Sequence, residues 1–195
     1  MSLLYPDALP RSVCIHGAEY AIRWQYYITL EILKIFDDDE LEVEAKAGLV
    51  LDLFYADKMP DDAAAAFQAM QEFINRGSWD NGYRGKKQSG RLVDFEIDAP
   101  FIWASFRQAY PAWDWSDAHW HEWKAAFDSL PSTSKVKEVM QIRAQETTGK
   151  MDAKHREAIE EAKRAFALPD KNLQGRRATD IEAELKRKVR ERKNG

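Results

Sequence analysis

The chain has 195 residues, 45% of them hydrophobic and 32% charged, a balance that builds a globular core and excludes a chain too polar to fold. No apolar run approaches a membrane span, and the opening MSLLYPDALPR lacks a basic region followed by a long apolar core, so no signal peptide is expected. Cys14 is the only cysteine, which excludes an internal disulfide and fits a reducing compartment. The net charge of −4 is uneven: residues 1–170 hold 20 Lys and Arg against 29 Asp and Glu, a balance of −9, and residues 171–195 hold 9 against 4, a balance of +5. An acidic body is unsuited to binding a phosphate backbone, which needs cations to displace counterions. Only the basic tail keeps that option open.

In chain order, residues 1–10 read as a flexible arm. Val13 and Ile15 alternate, His16-Gly17 signals a turn, and Tyr20, Ile22 and Trp24 alternate beyond it, which predicts a short β-hairpin that must pack on helices. From Tyr26 the period becomes helical through Leu30, Leu33 and Phe36, up to the run Asp37-Asp38-Asp39-Glu40. A second helix continues to Phe54 with Ala47, Val50, Leu51 and Phe54 on one side. Pro60 separates it from a third over Ala63 to Ile74, whose stripe is Ala66, Phe67, Met70 and Phe73 and whose stop is Gly77. Residues 77–93, with four glycines and an Asn-Gly pair, read as a mobile loop.

The stretch from Asp94 to Pro131 holds Trp103, Trp113, Trp115, Trp120 and Trp123, five of the seven tryptophans. Pro100 suits a first helical turn and Pro111 ends that helix. Ser116 and Asp117 are the expected caps of a second helix whose Trp120, Trp123, Phe127 and Leu130 share a face. Ser132-Thr133-Ser134 start another helix, with Val136, Val139, Met140 and Arg143 aligned. Asp152 starts one reaching Phe166, with His155, Ile159, Ala162 and Phe166 on one face. Ala178 to Lys193 reads as helical with a thin stripe, Ile181, Leu185 and Val189, suited to ordering on a partner.

The polar clusters favour no catalytic constellation. His119 and His121 stand two apart and point in different directions on a regular helix, so they do not chelate one ion. The acidic run at 37–44 has no glycine for the sharp turn of a calcium loop. Asp94, Glu96 and Asp98 read as helix-entry charge rather than an acid/base pair. Ser105, Ser129 and Ser132 lack a nucleophile elbow, Cys14 alternates within a strand, and the glycines of 77–93 do not space as a phosphate loop. No cofactor or metal is therefore expected, and no enzyme. Lys186, Arg187, Lys188 and Arg190 are the candidate contacts of the tail, with an acidic protein surface or with nucleic acid. Protein contact or simple solvation is favoured over nucleic acid because the body is acidic and no stacking module is visible. The tryptophans outnumber what two short helices bury. Trp103, Trp113, Trp115, Trp120 and Trp123 are the candidate partner-binding residues, Trp113 and Trp115 above all because they flank a corner rather than a helix face.

An ordered series of motifs resembles the bacteriophage gene product fifteen family of long-tailed phages and prophages. Leu53-Phe54-Tyr55 and Met59-Pro60-Asp61-Asp62 come first, then Asp94-Phe95 with Asp98, Ile102-Trp103-Ala104-Ser105-Phe106 and Tyr110. His119-Trp120-His121, Leu130-Pro131, Met140-Gln141-Ile142-Arg143 and Ala167-Leu168-Pro169 complete it, and the hairpin with Gly17 and Tyr20 fits. His121 stands where the family has a second Trp, Ile142 where it has Tyr, and Trp103 and Trp123 where smaller aromatics are usual. The resemblance covers roughly residues 10–170, one domain's length. It implies a non-enzymatic role in phage tail morphogenesis in the host bacterial cytoplasm: a chaperone for the tape-measure protein, whose long amphipathic helix aggregates unless covered. A structural tail or connector component of the virion and a nucleic-acid-binding protein are the alternatives. The expected architecture is mainly α: one helical domain over 11–170 with an N-terminal hairpin, then a basic tail over 171–195, helical or disordered. Its partner is a tape-measure or other tail protein, self-association is compatible, and no membrane is involved.

Overall fold

The computed structural model describes residues 9–75, 91–147 and 151–169. The arm before residue 9, nearly all of the loop read at 77–93, and the basic segment 171–195 with Lys186, Arg187, Lys188 and Arg190 lie outside the described residues. Among the described residues the fold is mainly α with an N-terminal hairpin, as the sequence pattern predicts. The order is β1 (Ser12–Ile15), β2 (Ala18–Ala21), α1 (Tyr26–Phe36), α2 (Val43–Phe54), α3 (Ala63–Asn75), α4 (Ala99–Ala109), α5 (Trp120–Asp128), α6 (Lys135–Ala144) and α7 (Ala153–Ala165). The chain divides into two compact units, residues 1–88 with 98–138, and residues 89–97 with 139–195; α6 starts in the first and continues in the second. No helix among the described residues is long and apolar enough to cross a membrane.

In the first unit, β1 and β2 pair antiparallel from Ser12↔Ala21 to Ile15↔Ala18. The two turn residues, His16 at φ 51° and Gly17 at φ 81°, are both left-handed, the geometry whose twist matches a two-residue hairpin. Beyond β2 the chain stays extended and pairs twice more. Its first partner is the exit of α2, through Ile22↔Tyr55, with Arg23 N donating to Phe54 O at 2.8 Å and Ala56 N to Ala21 O at 3.0 Å. Its second is the entry of α5, through Gln25↔His119, with Tyr26 N donating to Ala118 O at 3.1 Å and Trp120 N to Trp24 O at 2.9 Å. The core of this unit draws on five helices: Ile32 of α1, Val50 and Phe54 of α2, Met70 and Phe73 of α3, Phe106 of α4 and Trp123 of α5 are all buried.

Helix ends leave backbone groups without intrahelical partners, and remote side chains satisfy many of them here. The Arg23 guanidinium donates to the carbonyls of Asp52, Leu53 and Tyr55 at 2.7, 2.9 and 2.7 Å, closing the C-terminus of α2 with a cation on its negative dipole end. Lys46 Nζ donates to Phe36 O at the end of α1. Ser105 Oγ of α4 accepts from Val136 N in the first turn of α6 at 3.1 Å and donates to Phe101 O at 2.7 Å, which gives that serine a structural use.

The expected caps of α5 are corrected. Ser116 N donates to Asp114 Oδ1 at 3.1 Å in a local turn, and residues 118–120 are drawn into extended pairing with residues 24–26, so the helix cannot begin before Trp120. His119 is the N-cap: its Nδ1 accepts from His121 N at 3.1 Å, and Glu122 reaches back to His119 N.

In the second unit, Asp94 Oδ1 accepts from the amides of Glu96 and Ile97 at 2.8 and 2.9 Å, and its carboxylate pairs with Arg91. Arg143 is the counterpart of Arg23. Its Nε donates to Phe166 O at the end of α7 at 2.7 Å, and its Nη1 donates to Leu92 O at 2.8 Å. Ile159 is the buried residue of α7; His155, expected on the same face, is exposed in its first turn.

Candidate functional site: the aromatic corner

The site is built on α4, the turn that follows it, and α5, all in the first unit. Tyr110 ends α4 and its hydroxyl donates to Ala126 O of α5 at 3.0 Å, which fixes the corner's angle. Trp113 N donates to Tyr110 O and Ala118 N to Trp115 O, two tight turns that bring both indoles back over α4. Phe106 receives them, with ring centroids 6.0 Å from Trp113, 5.4 Å from Trp115 and 5.5 Å from Trp123. Trp123 stacks with Tyr26 at 5.2 Å and with Phe127 at 5.4 Å.

The five candidate tryptophans separate by burial. Trp120 and Trp123 are only 2% and 1% exposed, so they are core and present no surface to a partner. Trp113 and Trp115, favoured as exposed from their place at a corner, are half-buried because the corner folds them against Phe106. Trp103 is 52% exposed on the outer side of α4, with the Arg107 guanidinium 5.3 Å from its ring centre. The sequence reading missed Tyr26 and Tyr27. Half-buried Tyr26 lies 6.2 Å from Trp115 and 5.6 Å from exposed Tyr27, which extends the rings into a row: Tyr27, Tyr26, Trp115, Phe106, Trp113. A signal was available: the alternation of Tyr20, Ile22 and Trp24 runs on to Tyr26, one step further than the hairpin needs.

The flanking groups are charged. Hydrogen bonds from the Ser116 side chain and amide hold the Asp114 carboxyl below its ordinary range, with a smaller contribution from the Arg107 charge. Burial, then the neighbouring Tyr27, pushes the Tyr26 hydroxyl up.

His119-Trp120-His121, suggestive of metal ligands in sequence, has another use. The three rings reach three carbonyls: His119 Nε2 lies 2.9 Å from Pro10 O, Trp120 Nε1 donates to Ile74 O at 2.9 Å, and His121 Nε2 lies 2.8 Å from Phe73 O. The last two close the C-terminus of α3. His119 also stacks on Trp24 at 5.5 Å. Burial, with the nearby Arg11 charge as a smaller contribution, holds its imidazole below the usual histidine range. Geometry agrees: Nδ1 accepts an amide proton, so the neutral Nε2–H tautomer is the one that fits. Among the described residues no group of His, Cys, Asp or Glu is arranged to hold a metal ion.

Neither a curated protein nor a solved structure matches the chain. A family model does: the one described as Bacteriophage Gp15 protein matches residues 5–168, which takes in the hairpin, the aromatic corner, the seven helices among the described residues and the closing Ala167-Leu168. That match spans well over half of the chain, so the chain belongs to the Bacteriophage Gp15 protein family.

Proposed function

We propose that this protein is a non-enzymatic tail assembly factor, a chaperone that covers an apolar face of the tape-measure protein in the host bacterial cytoplasm before tail-tube protein polymerises. The observation that carries this reading is the cluster of partly exposed rings, Tyr27, Tyr26, Trp115 and Trp113, set around the buried Phe106 beside the buried Trp120 and Trp123. Aromatic rings on a rigid base give large contact area at low entropic cost and suit an amphipathic helix laid in a groove. Membership in a family of bacteriophage proteins supports the setting.

Co-expression with the tape-measure protein of the same gene cluster tests the proposal. The expected result is a soluble complex that co-purifies and is weakened by the double change Tyr27→Ala and Trp115→Ala. A tape-measure protein that stays insoluble, with no co-purification, sinks the reading. Detection of the protein in purified virions favours the structural alternative, because a chaperone leaves before the tail is complete.

A further inference from the structure

A second surface lies away from the aromatic corner. Residues 37–62 hold ten acidic residues against Lys46 and Lys58, a balance of −8, which is nearly all of the −9 carried by residues 1–170. All ten carboxylate residues are exposed. They stand at both ends and along the outer side of α2, whose 12 residues span roughly 18 Å. The same segment exposes large apolar side chains: Val43 is 74% exposed, Leu49 45% and Met59 42%. Beside Leu49, Gly48 has open space where a side chain would be. Ala45, Gly48, Leu49 and Asp52 share the outer face at helical spacing, so α2 presents a shallow apolar strip framed by negative charge.

The chain carries the complement of this surface in its own sequence. Residues 185–193 hold six cations against one acid, and Ile181, Leu185 and Val189 repeat every four residues, an apolar stripe beside a basic one. Nine positions separate Pro169 from Ala178 in the sequence, a spacer that reaches at most ~30 Å when extended.

We infer that the strip along α2, framed by Asp39, Glu40, Glu44 and Asp52, binds the basic segment 178–193 of a second copy of this chain. Such a contact is head-to-tail: each copy offers one acidic face and one basic segment, so pairing leaves a free face and a free segment for further copies. Lys186, Arg187, Lys188 and Arg190 meet the carboxylates, and Ile181, Leu185 and Val189 cover Ala45 and Leu49. Attraction between exposed charges is screened by salt, so association belongs to low ionic strength.

Light scattering on the full chain tests this. At low salt the wild type is expected above the single-chain mass of 22.6 kDa and at high salt near it. A face variant, Asp39→Lys with Glu40→Lys and Glu44→Lys, and a segment variant, Lys186→Glu with Arg187→Glu and Lys188→Glu, are each expected at single-chain mass. Circular dichroism on both establishes that the helices are intact. Mixing the two variants restores complementary pairs between different chains, so an equimolar mixture is expected to regain the higher mass. A wild type at single-chain mass in low salt, variants that associate as the wild type does, or a mixture that stays at single-chain mass each overturns the inference. None of these results depends on a tape-measure protein, so this inference and the chaperone reading stand or fall separately.

Discussion

The Arg23 guanidinium lies within 3 Å of three carbonyl oxygens at the end of α2. Hydrogen bonds from a charged donor are worth more than neutral ones, and removing the donor leaves partly buried carbonyls without a partner. Arg23→Ala is therefore expected to destabilise the protein by about 2–3 kcal/mol in urea unfolding. Arg23→Lys is expected to recover only part of that, since one ammonium cannot also reproduce the Nη2 bond to Ala56 O at 3.3 Å. The tryptophans give a second residue-scale contrast. Trp123 is enclosed by Tyr26, Phe106, Trp120 and Phe127, and Trp123→Ala is expected to cost about 3–5 kcal/mol by opening a cavity. Trp103→Ala removes an exposed ring and is expected to shift stability by no more than ~0.5 kcal/mol. Equal losses at the two positions would mean that Trp103 is covered in the folded protein. Little in the sequence separates these indoles; what differs is how the corner at Tyr110–Trp115 returns one set of rings onto Phe106 and leaves Trp103 outside.

At the scale of elements, the hairpin and the entry of α5 each rest on one conformational choice. Gly17 sits at φ 81° with no atom close to its missing Cβ, so a side chain there meets no neighbour and the penalty is the backbone's alone. Gly17→Ala is expected to cost about 1 kcal/mol, measured by chemical denaturation, and a neutral result would show that the turn relaxes to another type. The α5 entry depends on an uncharged His119. The folded-state imidazole titrates below the ordinary 6.5, so in the window just under pH 6.5 the unfolded chain binds a proton that the folded chain refuses. Stability supplied by this cap is complete above pH 6.5 and is lost as pH falls below it. Melting midpoints between pH 7.5 and 5.5 check the sign: the wild type is expected to decline on acidification, and His119→Asn, which still caps but does not titrate, to decline less steeply. Alternation around Gly17 makes the hairpin legible in sequence, and Pro100 and Pro111 bracket α4 correctly. The start of α5 is misplaced by sequence because Ser116 and Asp117 are good caps in isolation. They lose to pairing between residues 118–120 and 24–26, nearly a hundred positions apart.

At the scale of the whole molecule, charge is the organising asymmetry. Ten exposed carboxylates within residues 37–62 repel one another across α2. The screening length falls from about 30 Å at 0.01 M salt to about 10 Å at 0.1 M, so salt relieves that repulsion in the folded state. In dilute protein, where copies do not meet, the melting midpoint is expected to rise by about 2–4 °C over that range, the shift that corresponds to roughly 1 kcal/mol for a chain of this length. A falling midpoint would mean that attractive pairs such as His16–Asp62 and Lys124–Asp128 outweigh the repulsion.

The sequence by itself determined the class of the molecule: helices separated at Pro60, Pro111 and Pro131, a hairpin at His16-Gly17, an acidic body with a basic end, and the ordered motifs of its family. These are properties of spacing and local backbone preference, which a chain carries without folding. Only the tertiary structure decided which aromatics face solvent and what the polar motif residues do. Burial and helix capping are settled by partners far away in sequence: His121 at the carbonyl of Phe73, Trp120 at that of Ile74, Arg23 at the end of α2. The histidine and tryptophan cluster that reads in sequence as a possible site is, in three dimensions, the joint that closes α3. The rings that keep some exposure are others: Tyr27 is exposed, and Tyr26, Trp115 and Trp113 are half-buried.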